Sequence, residues 1–263
     1  MIVFAAITPH TPLLAPSIGK EHAEKHVETL RAYKELAESL YLAKPDSIVI
    51  ISPHAPLYPD AFSGNVAQKF TGVLKDFGDH GTNIPVRADF LLLDHIHRGM
   101  RQENAPFTMT SAEELDYAIT VPLLLLGEAA TKPKLAPIGI SGLDARAHFD
   151  FGTKLKNILQ AENSRIAIIA SADLSHRVNP NSPQGALPEG EAFDKFVREK
   201  VLALDGPGFL AADPDMVGKA QQSGYKPIAI LLGVLDGMNV KAKELAYEAP
   251  FGVGLMTTRF DLA

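Results

Sequence analysis

The hydrophobic positions of this chain change period along its length. Residues 2–7 (IVFAAI), 47–52 (SIVIIS), 134–140 (KLAPIGI) and 165–170 (RIAIIA) are short apolar runs, which predicts strands buried on both faces. Between the first two, Val27, Leu30, Tyr33, Leu36, Ala37 and Leu40 recur at helical spacing, so residues 20–42 are expected as an amphipathic helix between Gly19 and Pro45. Strand, helix, strand is a βαβ unit and favours a parallel sheet with helices on its faces. Further helices are expected over 88–102, 117–130, 144–161, 190–204 and 226–236, with a last strand over 252–260. Residues 62–77 partly alternate and read as short extended segments beside the main sheet. Residues 179–190 (NPNSPQGALPEG) read as a loop. No linker, low-complexity tract or tandem repeat divides the chain, so a single domain over 1–263 is expected.

Two of the strands end in the same way. ITPHTPLLAP (residues 7–16) and ISPHAPLYPD (51–60) each run from an apolar strand into Ser or Thr, Pro, His, a small residue and Pro. The prolines restrict the backbone on both sides of His10 and His54. In an open α/β sheet, ligands gather at the carboxyl ends of parallel strands. His10, His54 and His176, the last in SADLSH, all fall just past such an end. Neutral imidazole is the commonest nitrogen ligand, so His10 and His54 are expected to share a metal site. The competing reading makes each a strand cap bonded to backbone. Glu248, in YEAPFGVG, is the best third donor, and its competing reading is a Glu paired with an arginine or capping a turn. Two His and one carboxylate with open positions is the arrangement of non-haem Fe(II) oxygenases. His176 reads as a fourth ligand or a general acid/base. A serine hydrolase built from Ser171, Asp173, Ser175 and His176 is a weaker rival, because no G-x-S-x-G elbow is present.

The other histidines carry less. His22 and His26 share a helix face without a zinc-binding motif and are read as solvated; His95 and His97 point to different sides of a helix; His80 and His148 read as loop or surface residues. No phosphate loop or dinucleotide fingerprint is present. A chain of 263 residues with 46% hydrophobic and 21% charged residues is ordinary for a soluble protein. The net charge of −6 argues against a nucleic-acid partner. No apolar run is long enough to span a bilayer, and the N-terminus reads as a strand, not a leader, so a cytoplasmic location is expected. There are no cysteines, so thiolate chemistry and disulfides are excluded.

Taken in order, TPH, SPH, D-x-SH and YE-x-PFGVG resemble the class III extradiol ring-cleaving dioxygenases, in particular the catalytic B-type subunit. The resemblance runs from residue 4 to residue 260. It implies a three-layer α/β/α sandwich with a central, mostly parallel sheet. It also implies Fe(II) held by His10, His54 and Glu248, with zinc or manganese as other metals, and His176 as acid/base. The reaction implied is insertion of O2 into a catechol-type or o-aminophenol-type ring, with a homodimer or a small accessory subunit as partner. One position departs: in LDYAITVPL, Tyr117 stands where many members carry a histidine that meets the substrate. Memo-like relatives without established ring cleavage, and zinc enzymes that open DOPA and favour a third histidine, are the alternatives the resemblance leaves.

Overall fold

The computed structural model describes residues 1–262. Eleven strands form in chain order: β1 (Ile2–Thr8), β2 (Ser47–Ser52), β3 (Phe62–Asn65), β4 (Lys69–Leu74), β5 (Asp79–Arg87), β6 (Phe107–Thr110), β7 (Glu114–Leu115), β8 (Lys134–Gly139), β9 (Ile166–Ser171), β10 (Val240–Glu248) and β11 (Leu255–Leu262). Eight of them make one sheet in the order β10-β11-β1-β9-β2-β8-β3-β6, and β5-β4-β7 make a small second sheet. The pairs β1/β9, β9/β2 and β2/β8 are parallel, and β11 closes one flank antiparallel to β1. The continuous apolar runs are the four central strands, buried on both faces. Helices cover both faces of the sheet, so the architecture is the expected mixed α/β sandwich.

One layer centres on the Val27–Ala43 and Tyr117–Leu126 helices, whose Tyr33, Leu36, Leu40, Ile119 and Leu123 pack on Phe4, Ile48, Ile50 and Ile169. The other contains the Ala145–Ala161, Pro188–Leu202 and Tyr225–Leu235 helices over Ala5, Ile7, Val49, Ile51 and Ile168. Alternate residues of each strand thus face opposite layers, as the strand period of two requires. The Ala145–Ala161 and Tyr225–Leu235 helices cross closely because Gly152 and Gly233 leave room for backbone. A Cβ at either would stand within 2.1 Å of a carbonyl oxygen of the other helix.

Several details depart from the sequence reading. β10 was not expected; its VKAKELAYE is rich in Ala, Lys and Glu, which strands disfavour, and it pairs as an edge strand with lysines outward. The expected helix over 20–42 begins as a 3-10 segment, Lys20–His26, and becomes α-helical only from Val27. That change of pitch turns His26 inward, so it is buried rather than solvated. His148 is likewise buried, with its ring edge on Phe62, because its helix packs that face on the sheet.

Candidate metal centre

β1, β9 and β2 are parallel neighbours, so His10, the SADLSH loop and His54 emerge on one edge. His10 is 1% exposed. Its backbone is held from two sides. The N–H donates to Asp173 Oδ1 at 2.6 Å, and the buried Tyr33 hydroxyl donates to the carbonyl of Pro9. Its ring tautomer follows from a chain of bonds. Ser171 Oγ donates to the carbonyl of Ala118, so it must accept from His10 Nδ1, 2.9 Å away. The Nε2 lone pair of His10 is therefore free to face the edge. A ligating imidazole is oriented in this manner by a bond at its other nitrogen.

That Nε2 lies 3.3 Å from Nε2 of His54 and 3.3 Å from Ser223 Oγ. Asp173 Oδ2 is 3.7 Å from it. Two imidazole nitrogens 3.3 Å apart match neighbouring ligands at metal–nitrogen distances of roughly 2.0–2.1 Å. Burial, then the neighbouring His176, push His10 down to about 3. Burial and His10 push His54 down to about 4. Both rings are neutral at neutral pH and offer lone pairs. Asp173 is raised to about 6 by burial, against the N–H bonds of His10 and Thr11 that favour its charge.

His54 opens to solvent. Its N–H donates to Ser52 Oγ, which donates to Asp116 Oδ1 at 2.8 Å. Asp116 also caps the helix that starts with Tyr117, accepting from Ile119 N–H. Asp116 therefore ties the SPH turn to Tyr117. The Tyr117 ring stacks on His54, centroids 4.4 Å apart, and its hydroxyl lies 2.7 Å from His54 Nε2. Burial holds the phenol well above its ordinary pKa, so Tyr117 remains an O–H donor. Phe77 meets Tyr117 edge-on. These residues open into a cavity of about 470 Å³ with Ser63, Asn65, Lys75 and Thr110 on its walls. A larger cavity of about 760 Å³ is lined by the opposite ends of the same strands, Ser47 and Lys134 among them, away from the histidines.

His176 lies beside this group. Its N–H donates to Ala220 O, and its buried Nε2 has no partner. Glu248 sits apart from His10 and His54. Its Oε1 accepts the Thr29 N–H at 3.0 Å and stands 3.9 Å from His26 Nδ1. The capping role considered for this Glu is thus realised on a helix. Among the described residues, no three His, Asp or Glu side chains already surround a common point.

YEAPFGVG is stitched to the SADLSH loop. Leu174 N–H donates to Gly254 O and Gly254 N–H to Ser175 O, both at 2.8 Å. Gly252 has φ +74° and a Cβ there would strike Ser182, so this turn requires glycine. Asp194 pins the junction, accepting from Ser175 N–H at 2.8 Å and from the Tyr247 hydroxyl at 2.7 Å. Burial raises its carboxyl to about 7. The sequence reading missed Asp194, Ser223 and Asp116, and weighed Ser171 and Asp173 only in a rival hydrolase. Ser171 and Asp173 share the strand end with His176, a usable signal. Ser223 and Asp194 have none, because distant segments bring them in.

The family model for the catalytic LigB subunit of aromatic ring-opening dioxygenase matches residues 4–258. The chain belongs to this family. LigB-family dioxygenases depend on a metal, and the donors at this edge fit one: a fixed lone pair on His10, a second on His54, and an orphaned buried nitrogen on His176. This LigB-family chain is 27% identical over 257 residues to Protein CA_C1420 of Clostridium acetobutylicum, covering 94% of the chain and 55% of that relative. The chain thus spans about half of the relative's length. The fold matches the uncharacterized protein JW3007 of Escherichia coli K12 with a TM-score of 0.71, covering 98% and 99% of the two chains at 18% identity. No helix among the described residues is long and apolar enough to cross a membrane.

Proposed function

We propose that this chain is a non-haem Fe(II)-dependent extradiol dioxygenase that opens a catechol-type or o-aminophenol-type ring with O2. The observation that carries the reading is the pair of neutral imidazole nitrogens 3.3 Å apart, one with its lone pair fixed outward, at the mouth of a cavity in a LigB-family chain. His10 and His54 hold the cation, and Glu248 completes the set through Oε2 while its Oε1 stays on the Thr29 N–H. Bound there, iron lowers the pKa of a phenolic oxygen and supplies electrons for O2 chemistry. Tyr117 donates its O–H to a substrate oxygen and, with Phe77, walls the ring. His176 takes the substrate's proton on its unpartnered Nε2 and returns it on ring opening. Assembly as a homodimer or with a small accessory subunit belongs to the same reading.

A second donor set has its own observation. Asp173 Oδ2 is already 3.7 Å from His10 Nε2, closer than any contact Glu248 makes with that ring, so Asp173 could supply the carboxylate. A zinc-binding, Memo-like role without ring cleavage is favoured by Tyr117, whose raised pKa unfits it as a base.

The test is metal analysis of anaerobically purified protein, then oxygen uptake with a panel of catechols and o-aminophenols. About one iron per chain, with substrate-dependent uptake, supports ring cleavage. Stoichiometric zinc without uptake supports the Memo-like reading. Metal lost in Glu248→Gln but kept in Asp173→Asn assigns the carboxylate to Glu248, and the reverse assigns it to Asp173.

A further inference from the structure

His26 is a buried anomaly. It is 1% exposed, yet neither ring nitrogen has a hydrogen-bond partner. Whichever tautomer it adopts, one N–H is buried unmet, which is unfavourable. Its position is equally unusual. It is the N-cap residue of the Val27–Ala43 helix, but its side chain makes no cap bond. Glu248, from the far end of β10, reaches across and accepts the Thr29 N–H in its place. His26 Nδ1 stands 3.9 Å from the same Glu248 oxygen. Phe251, three residues beyond Glu248, packs tilted against the His26 ring at 5.4 Å between centroids.

We propose that His26 is the positioning residue for Glu248. Its Nδ1–H closes on Oε1 beside the Thr29 N–H when the carboxylate turns toward the cation. Two donors then hold one oxygen, and Oε2 keeps its lone pairs for the metal. Ligating carboxylates are fixed by bonds of this kind, and losing one costs typically 10–100-fold in metal affinity. The helix N-terminus contributes in the same direction, since its dipole favours the anion. The proposal rests on Glu248 being a ligand.

The experiment is Zn(II) titration of the metal-free full chain by calorimetry, with the metal-free melting temperature read for each variant. His26→Leu keeps the bulk without the donor. His26→Asn returns an amide nitrogen to the place of Nδ1, whereas His26→Gln carries it one bond too far. The expected result is a loss of about 10–100-fold in His26→Leu and His26→Gln, largely restored in His26→Asn. Equal losses in Leu and Asn, or a lowered melting temperature with unchanged Zn(II) affinity, would overturn the role of His26. Full affinity in the His26 variants with loss in Glu248→Gln overturns it while leaving Glu248 a ligand. Full affinity in Glu248→Gln removes the ligand reading, and this inference with it.

Discussion

His10 and His148 are equally buried and serve opposite ends. Both carry their ring proton on Nδ1, His10 toward Ser171 and His148 toward the Asp144 carbonyl, 2.7 Å away. They differ at Nε2. That of His148 accepts the Ser141 N–H at 3.2 Å, which completes its bonding inside the protein. That of His10 meets only long contacts, to His54 and Ser223 at 3.3 Å. Burial alone therefore supplies no donor for a metal; a lone pair left over after the protein's own bonds are counted does. His148 stitches the turn after β8 to the helix below it, and His10 holds its lone pair at the sheet edge.

The sharpest way to break this comparison is to remove each ring. His10→Ala is expected to weaken Zn(II) binding by at least about 100-fold in calorimetry. His148→Ala is expected to leave binding by the folded protein unchanged but to cost about 3 kcal/mol in denaturant unfolding, since it leaves a cavity against Phe62 and an unmet Ser141 N–H. A His148→Ala chain with normal stability and lost metal would reverse the two roles.

Acid tests the His148 ring by itself. Burial, with Lys226 nearby, lowers His148 from 6.5 to about 4. Below pH 6.5 the unfolded chain takes up a proton that the folded chain refuses until about pH 4. Its contribution to stability is therefore complete above 6.5, declines as pH falls to about 4, and is flat below. The loss is on the order of 3 kcal/mol. The difference between wild type and His148→Ala in urea midpoint should shrink over that window; a constant difference would remove His148 as the source.

Smaller changes test what orients His10. Ser171→Ala frees the tautomer and is expected to weaken Zn(II) binding about 10-fold with little change in melting. Tyr33→Phe removes the hydroxyl that holds Pro9 O and should cost about 1 kcal/mol of stability, read from urea unfolding. If Ser171→Ala binds Zn(II) as tightly as wild type, the fixed tautomer is not what makes His10 a ligand.

The four central strands were legible because buried parallel strands leave unbroken apolar runs. β10 was not, because an edge strand need bury only one side and its lysines mask the alternation. At the site, the two X-P-H turns were legible as a repeated local frame. His26 and His148 were misread as solvated or surface residues. The inward turn of His26 depends on a 3-10 segment, and the burial of His148 on which helix face meets the sheet.

The sequence alone determined the parallel α/β core and the strand-end placement of His10, His54 and His176. Local periodicity and backbone sterics decide those features. The tertiary structure alone decided that Ser171 sets the His10 tautomer and that Asp194 clamps the Ser175 loop to Tyr247. It also decided that Glu248 caps a helix beside His26. Each joins residues far apart in the chain, and the strength of a hydrogen bond depends on distance and angle that no local pattern encodes.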